Sequence, residues 1–150
     1  MQGFRFRMDH VLEWYRKQRE IEEQKLAECI GALSKVEESI ARFRAERLTV
    51  ERDLVTRSEL SACDLVSLGL YRMRARKQEL ELNLDRERKE SGVRQQRAEW
   101  QAAQRRVRLL EKLRGRRLAE HEYLEQRELE NLAADAYLAK WVRKQASAPW

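Results

Sequence analysis

Apolar residues recur along the first third of the chain at alternating steps of four and three. Cys29, Leu33, Val36, Ile40 and Phe43 are followed at the same spacing by Arg47, Val50 and Leu54. This alternation is the seam of a coiled coil, because it keeps one stripe of a helix turned toward a partner helix. Arg47 interrupts the stripe once. Backward from Cys29 the seam runs through Leu26, thins at Glu22 and Arg19, and recovers at Tyr15, Leu12 and Met8. Long Arg and Glu stems can lie across a partner helix and keep their charges in water, so the thin stretch reads as a weaker contact. The pattern predicts a first helix over about residues 8–58.

The stretch "SELSACD", residues 58–64, breaks the rhythm and predicts a turn over about 59–64. Ser61 followed by Asp64 loosely resembles a capping box, with Asp where Glu is preferred. A second helix is predicted over about 65–142, with a frayed tail over 143–150. Its early part, "RMRARKQELELNLDRERKE", has charge pairs at helical spacing and a poor apolar face. Val93, Trp100, Val107, Leu110 and Leu113 restore an apolar line, and Leu124, Leu132, Ala136 and Leu138 extend it. Gly92 and Gly115 each weaken a helix by about 1 kcal/mol relative to Ala and mark places to bend. Gly69 offers a further break.

The expected fold is therefore all-α: one domain, a long antiparallel two-helix coiled-coil hairpin. Its arms are unequal, so the end of the second helix lacks a partner along its length. A helix running unbroken through 58–64 is the alternative, and its first seam would need a partner from another chain. Composition agrees with long helices. The 150 residues include five Gly and one Pro, and 39% are charged. The 42% that are hydrophobic recur in order, unlike the composition of a disordered chain. The start has no apolar core with a cleavage site, and no apolar run spans a bilayer, so the cytoplasm is the expected location. Along a helix, the 34 residues from Cys29 to Cys63 would span roughly 50 Å, far beyond disulfide reach. No metal-ligand spacing, cofactor motif or catalytic constellation is visible, so no enzyme activity, metal or cofactor is expected.

Charge adds one strong feature. The net charge is +6, and "RRVRLLEKLRGRR", Arg105 to Arg117, holds seven basic residues and one acid, Glu111. Three partners suit such a stretch. Nucleic acid would use the charge, but Val107, Leu109, Leu110 and Leu113 interrupt it and no recognition motif accompanies it. A membrane surface would find too small an apolar payload for more than weak peripheral contact. An acidic protein rim fits best, since Arg forks bind carboxylates in bidentate fashion. The plain alternative is a solvated helix face.

Two segments carry a family resemblance. "FRFRMDHVLEWYRKQRE" opens with Phe4, Phe6, Met8, Val11, Leu12 and Arg16, similar to the start of flagellar export proteins of the FliJ family. "EQRELENLA", residues 125–133, resembles that family's E-Q-K-E-L-D-E-L-A segment. Glu125, Gln126, Glu128, Leu129, Leu132 and Ala133 match it, Arg127 keeps the Lys charge, Glu130 replaces Asp, and Asn131 stands where the family has a carboxylate. The resemblance implies a two-helix coiled coil similar to the central stalk of rotary ATPases, working in type III protein export. It implies binding to a hexameric export ATPase and to the membrane export gate, and possible binding to substrate chaperones, at the cytoplasmic face of the inner membrane. A virulence-type stalk and a generic coiled-coil adaptor are the neighbouring readings. Arg105, Arg106, Arg108, Arg114 and Arg117 are the expected ring or gate contacts. Glu125, Glu128, Leu129, Glu130 and Leu132 are carried over from the family segment as a second surface.

Overall fold

In the computed structural model, which describes residues 3–57 and 59–146, the two predicted helices form and pack against each other. Helix α1 is Asp9–Val55 (47 residues) and α2 is Ala62–Ala146 (85 residues). There is no strand among the described residues, and the fold is an all-α helical hairpin. Helix α2 starts three residues earlier than expected and continues through 143–146, where a tail was expected. The remainder of that tail, residues 147–150 with Pro149 and Trp150, lies outside the described residues, as does Ser58.

The start of α2 is fixed by a reciprocal cap. The Asp64 amide donates to Ser61 Oγ at 3.2 Å, while the Ser61 amide donates to Asp64 Oδ2 at 3.0 Å. The Ser61 hydroxyl donates to the same oxygen at 2.9 Å. Asp, one methylene shorter than Glu, still reaches back, so two orphan amides are satisfied as in a capping box. Gly92 and Gly115 do not break α2, which runs helical through both. In a helix the backbone bonds themselves hold a glycine at ordinary dihedrals, and no glycine has a positive φ.

Contacts divide the chain into two compact units: Gln18–Gln104, and a second made of Met1–Lys17 with Arg105–Trp150. In the unit Gln18–Gln104 the helices run antiparallel, since Glu22 meets Gln96, Arg47 meets Glu79 and Glu51 meets Arg72. Its buried apolar residues are Ile40, Ala75, Val93 and Ala103. The α1 residues turned inward follow the predicted seam through Leu26, Cys29, Leu33, Val36, Ile40 and Phe43. At the seam's end Val50 is exposed and Glu51 is turned in instead.

Two of the polar interruptions of the seam, Arg47 and Glu22, have partners. Arg47 lies 3.1 Å from Glu79 and 3.3 Å from Glu51, and Arg44 reaches Glu79 at 3.1 Å. Arg19 and Glu22 are half-buried in the face. Glu22 accepts from Lys25 at 2.9 Å and from the Gln96 amide. Hydrogen bonds from Lys25 and then Gln96 hold the Glu22 carboxyl below the usual range, and Glu22 holds Lys25 above its own. Such half-exposed pairs add little net stability, but those that cross between the helices, Arg44 and Arg47 with Glu79 and Gln96 with Glu22, are lost in a slipped register. Cys29 and Cys63 are both free thiols.

Two predictions follow from the helices. An added Cβ at Gly92 or Gly115 meets nothing within 4 Å. Gly92→Ala and Gly115→Ala should therefore each stabilise the chain by about 1 kcal/mol in thermal or urea unfolding followed by circular dichroism. A loss of stability would mean that α2 is not continuous at that glycine. The second concerns pH. The Ser61 amide and hydroxyl hold the Asp64 carboxyl below its ordinary value, as Lys25 and Gln96 do for Glu22. A carboxyl lowered by folding stabilises fully above its unfolded range and loses that contribution as pH falls through its folded value. The melting midpoint should fall on acidification below about pH 5, and Asp64→Asn with Glu22→Gln should shrink that fall. An undiminished fall in the double variant would locate the acid sensitivity elsewhere.

Candidate functional site

The unit made of residues 1–17 and 105–150 holds every residue expected to bind a partner. It begins with an extended segment. Phe4 and Phe6 are half-buried while Arg5 and Arg7 are exposed, so "FRFR" alternates inward and outward as an extended chain does. The Phe4 ring stands edge-on to His121 with centroids 5.7 Å apart. The segment and α2 line an open groove of about 520 Å³ that includes Phe6, Met8, Leu113, Arg117 and Leu124. Leu12 and Val107, each 1% exposed, form the best-buried part of this unit. Two ion pairs link its helical segments, Arg16–Glu111 at 3.0 Å and Asp9–Arg114 at 3.6 Å, and their order again runs antiparallel.

Those pairs sort the basic stretch. Glu111, its only acid, is taken by Arg16, and Arg114 is taken by Asp9. Arg117 pairs with Glu120 one turn along α2 at 3.0 Å. Arg105, Arg106 and Arg108 are exposed and have no ion pair among the described residues. With Val107 buried, Arg106 and Arg108 flank the packed line, and Arg105 lies beyond them on the outer side with Leu109, Lys112 and Arg116. Of the five arginines expected to act, three present unpaired guanidiniums and two are engaged within the chain.

Charge is distributed between the units without balance. Gln18–Gln104 contains 17 Lys and Arg against 17 Asp and Glu. The other unit contains 15 against 9, which is the whole of the +6 net charge.

Beyond the pair His121–Glu125, at 4.0 Å, α2 runs uncovered. Every residue from 126 to 146 is exposed, including Leu129, Leu132, Tyr137, Leu138 and Trp141. Glu128, Leu129, Glu130 and Leu132 are therefore exposed, while Glu125 is half-covered at the root of this arm. Sequence reasoning found the aromatic N-terminal residues only through their resemblance. The period-two alternation of Phe and Arg, distinct from the helical period that follows, is the signal that places them in the groove.

No helix among the described residues is long and apolar enough to cross a membrane, and no cluster there has the make-up of a metal site. The chain matches no family model, no curated protein and no solved structure.

Leu12 gives this unit its sharpest test. Leu12→Ala removes a fully buried side chain and should cost about 3 kcal/mol, with the Phe4–His121 contact loosened as seen by chemical-shift changes at His121. Substituting Arg105, Arg106 and Arg108 together by Glu should leave the helical signal and melting midpoint nearly unchanged, since none has an ion partner to lose. A collapse of helicity in that triple variant would show that these arginines hold the fold.

Proposed function

We propose that this chain is a non-enzymatic docking protein of bacterial type III protein export. In this reading it is a stalk and escort component that binds and stimulates a hexameric export ATPase. It links that ring to the export gate at the cytoplasmic face of the inner membrane and to substrate chaperones. The observation that carries the reading is the charge partition. One unit is balanced, and the unit made of residues 1–17 and 105–150 carries the entire net charge, with Arg105, Arg106 and Arg108 unpaired among the described residues. Such a surface suits an acidic rim and many modest, salt-sensitive contacts. The resemblance of the opening residues and of "EQRELENLA" to flagellar export stalks supplies the identity of the partner.

The exposed arm supports the second half of the reading. A family-like segment whose Leu129 and Leu132 are 56% and 64% exposed is available to another protein rather than used in packing.

The test is the ATP hydrolysis rate of the cognate export ATPase titrated with this protein, with sedimentation to follow ring assembly. Stimulation with hexamer formation is the expected result. The Arg105→Glu, Arg106→Glu, Arg108→Glu variant should need about ten times more protein for half-maximal stimulation. No stimulation and no co-sedimentation would move the chain to the passive coiled-coil adaptors, and unchanged stimulation by the triple variant would remove these arginines from the contact.

A further inference from the structure

On the uncovered arm of α2, Glu125, Leu129, Leu132, Ala136, Ala139 and Arg143 follow one another at steps of four, three, four, three and four. That is coiled-coil spacing, four apolar positions closed by Glu125 and Arg143, on an arm whose described residues beyond 125 are all exposed. The order of residues within it is informative. Read backward against itself, the stripe sets Glu125 opposite Arg143, Leu129 opposite Ala139 and Leu132 opposite Ala136. Each layer then joins opposite charges or a large side chain with a small one, the arrangement that interdigitates without voids. The heptad positions agree, because antiparallel helices place a first-type seam residue opposite a second-type one in every layer, as these three pairings do. A parallel arrangement would stack Glu125 on Glu125 and Arg143 on Arg143.

We infer that the arm pairs antiparallel with the same arm of a second copy of this chain, giving a two-fold dimer through residues 125–143. The self-complementary order of charge and size selects this occupant, since a two-fold interface requires a surface that fits its own reversed copy. The seam is short and its middle layers contain alanine, so the dimer is a weak one that forms with rising concentration. Asp135, beside the seam, meets its own copy near the two-fold axis and opposes the pairing. The inference uses only this chain and stands whether or not the export reading holds.

Sedimentation equilibrium of the full chain, from about micromolar to about millimolar concentration, tests it, with circular dichroism to confirm helicity in each variant. A monomer–dimer equilibrium is expected. Glu125→Arg or Arg143→Glu alone should weaken it about tenfold, because the two-fold axis repeats the lost pair and adds like charges. The two changes together should restore the parent affinity, and Asp135→Asn should tighten the dimer. A chain that stays monomeric throughout would overturn the inference. So would a dimer indifferent to the single charge changes, or one that the double exchange fails to restore.

Discussion

Two paired helices can cover one another only over the length of the shorter. Helix α1 has 47 residues and α2 has 85, so a large part of α2 must find another partner or face water. The extended residues before α1 take up a little of this excess by laying Phe4 and Phe6 alongside α2. The rest is the exposed arm. It can stay helical because elongation from a helix already formed avoids the cost of nucleation. Ala133, Ala134, Ala136 and Ala139 strengthen it further, alanine being the best helix former. Its large apolar side chains, among them Leu129, Leu132, Tyr137, Leu138 and Trp141, are exposed along it.

The same geometry explains the polar seam. A pair of helices has a single contact layer, and any charged residue in it either finds a counter-charge across the layer or weakens it. Arg47 with Glu79 is a solution of the first kind, while Glu22 is held by Lys25 on its own helix and by the neutral Gln96 amide across the layer. The unit Gln18–Gln104 is electrically balanced in its composition. In the other unit, Arg16 pairs with Glu111, Asp9 with Arg114 and Glu120 with Arg117. Its remaining charge is therefore a surplus that packing does not consume, and its field extends over a Debye length into solvent.

The hairpin was legible in the sequence because periodicity reports which face of a helix is covered. The step pattern through Cys29, Leu33, Val36, Ile40 and Phe43 reappears as the inward face. The turn was legible through Ser61 and Asp64, although Asp in place of Glu made that signal look weaker than the cap it forms. Two features were not legible. Glycine propensity suggested a break at Gly69, but α2 runs helical through it. The sorting of arginines into paired and unpaired was equally hidden. Arg16 and Glu111 are 95 residues apart in sequence, and only the antiparallel register brings them together.

The arm places two proposed roles on one surface. Glu125, Leu129 and Leu132 belong to the segment that resembles an export stalk and also to the stripe that complements its own reverse. A helix face buried in a dimer offers nothing to a third protein, so the two uses exclude one another. The short seam makes self-pairing weak, and the exclusion then acts as a threshold. A stronger partner takes the arm directly, while a weaker one must first separate two copies. The unpaired Arg105, Arg106 and Arg108 lie outside the proposed dimer seam. They remain open to an acidic surface in either state, so first encounter and final docking can depend on different residues of the same unit.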